Sequence, residues 1–285
     1  MMQRIKTYRV FESQGLNGDQ LALLEIGVDG KWTQNANTGL IDVEGNVLFD
    51  RMNLEDLKGL RFGRVTGHFE VERNQLQSCE GFPDFVGGDF MVFSNQLKDL
   101  VGAPAEVGGM YDVAMNGLES LEGSPKKVQG FSCDYNRLQS LKGGPEEVQR
   151  GFLCGYNQLK DLVGGPKKVG GRFSCVDNPM ESLKGAPESL GGSFVSPFLS
   201  LIGGRWNLLG VMEEVREKLD ADPALAQQIS PLSLFQELPR EWNGLDQPMK
   251  VTLMRHFPEK LDFIPADEKK LLKALVRAED ISSFL

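Results

Sequence analysis

The sequence has very little with which to run histidine or cysteine chemistry. Two histidines, His68 and His256, stand far apart in 285 residues. A Ser-His-Asp or Cys-His site needs a histidine beside its nucleophile, oriented by a third group, and nothing around either one supplies that setting. His68 directly precedes an aromatic in a strand-like segment, which predicts a surface side chain. There are four cysteines, Cys79, Cys133, Cys154 and Cys175, and no CxxC pair. They read as free thiols in a reducing compartment, and no metal or cofactor is expected. Long apolar runs are also missing. No stretch nears the ~18 residues of a membrane span. The opening MMQRIKTYRVFESQG lacks the apolar core of a signal peptide, so a cytoplasmic location is expected. Positive charge is short as well. With 31 Lys+Arg against 40 Asp+Glu the net charge is −9, which disfavours a nucleic-acid partner, because phosphate recognition draws on clustered basic residues.

Glycine, by contrast, is plentiful. Its 33 residues cluster between about Gly81 and Gly204, and they recur with a period. Asn74, Asn95, Asn116, Asn136, Asn157 and Asn178 are spaced 21, 21, 20, 21 and 21 residues apart. Two residues after each stands Leu76, Leu97, Leu118, Leu138, Leu159 or Met180. Three later comes Cys79, Leu100, Leu121, Leu141, Leu162 or Leu183. A glycine follows, then a proline two residues on, from Pro83 to Pro187. A small aliphatic column holds Val86, Val107, Val128, Val148, Val169 and Leu190. An aromatic opens each unit: Phe69, Phe90, Tyr111, Phe131, Phe152, Phe173 and Phe194. The unit reads F-x-C/V-x-x-N-x-L-x-x-L-x-G-x-P-x-x-V-G-G.

Each column has a physical task. Phe90 and Val92 alternate with Met91 and Phe93, the period of a strand with one buried face. About 21 residues is too short for two helices but suits one strand and an extended return path. Stacked units would pair their strands in parallel, about 4.8 Å apart. A buried asparagine amide can satisfy backbone groups of its own bend and of the neighbouring turn, and stacking repeats that bond as a ladder. No unit buries its apolar face alone, so the stack itself is the core. The predicted fold is a β-rich solenoid with an N-terminal β cap and an α-helical C-terminal region.

Phe152-x-Cys154-x-x-Asn157-x-Leu159-x-x-Leu162 resembles the leucine-rich repeat, whose core reads LxxLxLxxN. The short period is similar to that of bacterial secreted effectors. The phrase NQLKDLVGGPKKVGGRFSC looks closer to repeat proteins of large tailed phages. The resemblance spans roughly residues 40–203. It implies a leucine-rich-repeat-like solenoid with a concave strand face, and it brings no catalytic motif. The ubiquitin-ligase domain of the effectors has no evident counterpart here.

Three segments follow: a capping segment over 1–46, the solenoid over 47–204 and a helical cap or partner-binding domain over 205–285. LALLEIGVDGKWT reads as a hairpin with Asp29-Gly30 at its turn. Val47-x-Phe49, Leu54 and Leu57-x-Gly59 look like an early, irregular unit. Phe198, Leu201 and Gly203 echo a collapsed last one. Beyond them four or five short helices are expected, with Val211, Val215 and Leu219 on one face, a start at Asp222-Pro223 and a last helix marked by Leu271, Leu272, Leu275 and Val276.

Two surfaces stand out. Lys126-Lys127, Glu146-Glu147, Lys167-Lys168 and Glu188 form a column of alternating sign, expected to pair between turns on a solvated return face. The outward strand positions are different. Met91, Phe93, Met110, Met115, Tyr135, Leu153, Tyr156 and Val176 are apolar or aromatic where a solvated sheet would be polar, and Glu70, Glu72, Asp89, Asp112, Asp134 and Asp177 surround or punctuate them. An apolar centre with an acidic rim suggests a protein partner of basic or mixed polarity. Self-association into a homodimer and cover by a terminal segment are the alternatives. The Cys133, Cys154 and Cys175 column could in principle form disulfides or hold a metal. Val92 and Val113 fill the same slot, which favours small buried hydrophobes. The functional expectation is a non-enzymatic interaction protein, phage-encoded and directed at a host protein. A virion scaffold is the second reading. An enzyme in the helical region is the third, and it would need Glu213, Glu214, Glu237, Glu241 or His256 to converge.

Overall fold

The computed structural model describes residues 15–197, 200–201, 208–219, 221–230, 232, 235–236 and 238–282. Its centre is a parallel β-solenoid of seven turns with about 21 residues each. Every turn carries two short strands. One set forms the strand face: β4 (Phe69–Glu70), β6 (Phe90–Met91), β8 (Met110–Asp112), β10 (Gly130–Ser132), β12 (Phe152–Leu153), β14 (Phe173–Ser174) and β16 (Phe194–Val195). The other lies on the return path: β3 (Phe62–Val65), β5 (Phe85–Val86), β7 (Glu106–Val107), β9 (Lys127–Val128), β11 (Glu147–Val148), β13 (Lys168–Val169) and β15 (Ser189–Leu190). The return path is therefore a second parallel ladder rather than extended chain alone. Register is uniform, aromatic on aromatic and aliphatic on aliphatic: Phe131 pairs Phe152, and Val148 pairs Val169.

The repeat columns explain this regularity. The seven opening aromatics are fully buried, and five of the six contacts along their column are stacked pairs with centroids 5.3–5.9 Å apart. Such pairs contribute about 0.5–1.5 kcal/mol each beyond their burial. The exception is the contact between Phe90 and Tyr111, tilted at 4.6 Å. Tyr111 buries its hydroxyl without a hydrogen-bond partner. Glycine at the corner before the strand face has a steric cause. A Cβ on Gly170 would lie 2.0 Å from the Gln149 carbonyl oxygen of the preceding turn.

The one 20-residue unit is also visible. Only two residues separate Val128 from Phe131, where three separate Val107 from Tyr111. At this shortened turn β7 and β9 do not pair, and the return ladder is interrupted. The Gln129 side chain donates to the Gly108 carbonyl across the interruption.

Both faces begin on one long strand, β2 (Ile41–Leu48). Its first half pairs β3, its second half pairs β4, and β1 (Val28–Gln34) covers it antiparallel along its whole length. Residues 46 and 47 thus both lie within β2. The N-terminal hairpin exists, but not as the sequence suggested. LALLEIG belongs to helix α1 (Gly18–Gly27), started by a capping box between Asn17 and Gln20. Asp29-Gly30 lies mid-strand. The turn is at Asn35–Gly39, where the Asn35 side chain accepts from the amides of Asn37 and Thr38. Gly30 faces Gly45 across the hairpin so closely that a Cβ would lie 2.3 Å from the Glu44 carbonyl oxygen, so this glycine serves strand approach rather than a turn. The early unit is real: Val47, Phe49, Leu54 and Leu57 are buried.

At the far end β17 (Ser200–Leu201) pairs β16 antiparallel and stops the parallel ladder. Phe198 and Gly203, like the 204/205 boundary, lie outside the described residues. Five helices follow among the described residues: α2 (Leu208–Leu219), α3 (Pro223–Ile229), α4 (Leu238–Glu241), α5 (Gln247–His256) and α6 (Ala266–Ser282). Val211, Val215 and Leu219 share a buried face, and Asp222 caps α3. In α6 Leu272 is buried, Leu275 and Val276 are partly buried, and Leu271 points to solvent. The helical core is continuous with the solenoid core, and the Leu183 amide donates to the Gln228 carbonyl of α3. These helices therefore pack against the last turns.

Candidate functional site

The strand face is built outward from the asparagine column. Asn136 shows the pattern. Its Nδ2 donates to the Val113 carbonyl of the preceding turn and to the Cys133 and Asp134 carbonyls of its own. Its Oδ1 accepts from the amides of Asn116 and Leu118 in the preceding turn. Asn74, Asn95, Asn116, Asn157 and Asn178 make the equivalent bonds one turn back. The ladder read from the sequence is present at all six positions.

The residue just before each ladder asparagine adopts a left-handed backbone. Arg73, Ser94, Met115, Tyr135, Tyr156 and Asp177 have φ between 50° and 61°. For residues other than glycine that conformation costs about 1–2 kcal/mol. Here the neighbouring ladder holds it, since the Tyr135 amide donates to Gly155 O and the Tyr156 amide to Val176 O. The bend carries these side chains out to the edge of the strand face. Met115, Tyr135 and Tyr156 are 50%, 46% and 43% exposed. The two tyrosine rings stack with centroids 4.1 Å apart and planes 6° from parallel. Hydrogen bonds with Tyr135 and to the Asp177 carboxylate, together with the Asp177 charge, push the Tyr156 phenol up to about 12.

Asp112 and Asp134 lie within the patch rather than on its rim. Asp112 aligns with Met91 and Ser132, and Ser132 aligns with Leu153. Burial pushes the Asp112 carboxyl up, against the lowering pull of the Ala114 amide and the Ser132 hydroxyl. Burial also pushes Asp134 up. The Gly155 amide, donating to it at 2.6 Å, pulls the other way, Asp112 adds to the rise and Arg172 opposes it. Among the described residues neither carboxylate has a cation at ion-pair distance. Glu72 is different. Burial raises it too, but the Arg73 guanidinium lies 2.9 Å away and bridges on to Asp50.

The remaining predicted residues divide. Met91, Phe93, Met110, Leu153 and Val176 are half-buried, and Phe93 lies under the Arg73 guanidinium, 4.6 Å from ring centre. Met110 folds over Gly130, where a Cβ would meet its sulfur. Val176 packs beside Gly155. The structure therefore unites Met115, Tyr135 and Tyr156 as an exposed ridge, with Asp112 and Asp134 beside it, and sets Met91 and Phe93 apart with Arg73. The His68 side chain is 44% exposed, and its Nδ1 accepts from the Asp89 amide.

The cysteine column is internal. Cys133, Cys154 and Cys175 are free and buried, and burial raises all three thiols, Cys175 to about 12. Such thiols stay protonated at neutral pH, and Cys133 donates to the Leu153 carbonyl at 3.4 Å. In the helical region Glu214 is occupied by Lys218, and Glu237 lies outside the described residues.

One column escaped the sequence reading. Ser78, Asp99, Ser120, Ser140, Asp161 and Ser182 each accept from the backbone amide two residues on, closing the bend after the ladder. The signal was available: a Ser or Asp stands four residues after every ladder asparagine. No family model, curated protein or solved structure matches the chain.

Proposed function

We propose that this protein is a non-enzymatic interaction module that binds a partner protein through its strand face. The observation that carries this reading is the exposed, stacked Tyr135–Tyr156 pair beside Met115. Aromatic and Met side chains are enriched at interface cores, and these are held on a repetitive backbone, so little ordering entropy remains to be lost on binding. On the resemblance to repeat proteins of large tailed phages, the partner is a bacterial host protein, and the setting is the host cytoplasm. A homodimer through the same patch fits less well. A two-fold axis would set Asp112 and Asp134 against the same acidic patch of the other copy, where like charges oppose association.

The test is affinity capture from bacterial lysate with wild type and the Tyr135→Glu/Tyr156→Glu variant, with both sized by light scattering. The expected result is a protein retained by wild type and lost by the variant, with both chains monomeric. A dimeric wild type, a monomeric variant and no specific capture would instead move a scaffold role, including one in a virion, ahead of it.

A further inference from the structure

The strand face also carries a statement about the chemistry of its partner. Several carboxylates among the described residues are answered by cations of the same chain. Glu147 sits between Lys127 and Lys168, Glu181 meets Lys160, and Glu72 meets Arg73. Asp112 and Asp134 are burdened by burial and have no such cation. They lie on adjacent turns, Asp112 at the end of β8 and Asp134 two residues past the end of β10, half-buried, and hydrogen-bonded only by backbone amides and the Ser132 hydroxyl. Their surroundings hold no ammonium or guanidinium at ion-pair distance among the described residues. The Gly155 backbone lies directly against Asp134, and its amide donates to the Asp134 Oδ1 at 2.6 Å. Desolvated carboxylates without a counterion are unfavourable in the free protein, and an incoming cation relieves them.

The tyrosines add to these acceptors. Stacked at 4.1 Å, the two rings cover each other's inner faces and hold each other in place beside Asp134. A guanidinium finds acceptors in two carboxylates and two phenolic oxygens, with the thioethers of Met110 and Met115 to cover its aliphatic stem.

We propose that the ridge of Met115, Tyr135 and Tyr156 docks a segment of a partner protein that places an arginine side chain against Asp112 and Asp134. This rests on the interaction-module reading above and adds the chemical class of the anchor. Arginine is favoured over lysine because its planar fork can span two carboxylates that a point charge would serve one at a time.

The test uses the full chain with ¹³C-labelled methionine methyls and two probes, acetyl-Gly-Gly-Arg-Gly-Gly-amide and the same peptide with neutral, isosteric citrulline, at near-physiological salt. The arginine peptide is expected to shift the Met110 and Met115 methyls saturably, with an affinity roughly tenfold or more above that of the citrulline peptide. In Asp112→Asn/Asp134→Asn the two peptides should become equivalent. The single variant Asp134→Asn, which keeps an acceptor for the Gly155 amide, guards against misfolding and should lose most of the preference. Equal shifts from both peptides, shifts that survive in the double variant, or shifts produced instead by a neutral oligosaccharide such as cellopentaose would each overturn the proposal. Tyr135→Glu/Tyr156→Glu-sensitive capture that persists in Asp112→Asn/Asp134→Asn would remove the arginine anchor and leave the interaction module standing. Loss of capture in every form would remove the module itself.

Discussion

The two faces of the solenoid are made by the same repeat yet treat charge in opposite ways. On the return face the sign alternates from turn to turn, and Glu147 lies between Lys127 at 3.0 Å and Lys168 at 3.4 Å. These contacts hold that carboxyl below its ordinary range. On the strand face Asp112 and Asp134 are raised by burial, and the aromatic side chains next to them remain exposed. The return face has its electrostatic partners one turn away and needs nothing from outside. The strand face leaves both charge and apolar area unanswered. Repetition explains the first, because a sign that flips each turn always meets its opposite. The second is what the proposed partner would complete.

The comparison can be broken most severely from below, since both faces hang on the asparagine ladder. Asn136→Leu strands the Asn116 and Leu118 amides and removes donors from three carbonyls. A loss of about 3–5 kcal/mol is expected in chemical denaturation, and a loss under about 1 kcal/mol would refute the ladder as a principal support.

A smaller effect of known sign separates the faces. Asp112 and Asp134 have folded pKa values raised above their unfolded ones. The folded state therefore holds their protons more tightly, and their destabilising influence is greatest at neutral pH. Stability should rise as pH falls through the raised values, with the gain complete below the ordinary carboxylate range. Asp112→Asn/Asp134→Asn should be more stable than wild type at neutral pH and should lose that advantage on acidification. A variant no more stable than wild type at neutral pH would show that these carboxylates are not burdened by burial. Glu147 has the opposite sign. Its lowered value adds stability above the ordinary range, which is lost as pH falls through the lowered value. The smallest effect belongs to Lys127→Ala/Lys168→Ala. The pairs are exposed and screened, so the denaturation midpoint should stay within measurement error, and a clear drop would mean that the return face is more than a solvated surface.

The architecture was legible wherever one residue type answered one local demand. The period announced a stack, the asparagines announced the ladder, and the alternating Lys and Glu pairs announced their own bridges. The cap was less legible. Asp29-Gly30 has turn chemistry, but turn chemistry does not distinguish a hairpin tip from two strands that approach closely, and Gly30 serves Gly45 across the hairpin. The helix in LALLEIG was missed because its start lies in Asn17 and Gln20, outside the apolar run that drew attention.

By itself, then, the sequence determined the solenoid, its parallel register, its buried columns and the apolar character of the outward face. A column repeated every 21 residues has to stack on itself to be buried at all. Tertiary structure alone decided that the return path is a second ladder, that Tyr135 and Tyr156 are carried outward by left-handed bends, and that Asp112 and Asp134 lie half-buried inside the patch without a cation at ion-pair distance among the described residues. Those properties depend on neighbours one turn away in the chain and on the backbone conformation at each corner. Residue type constrains none of these until the turns are stacked.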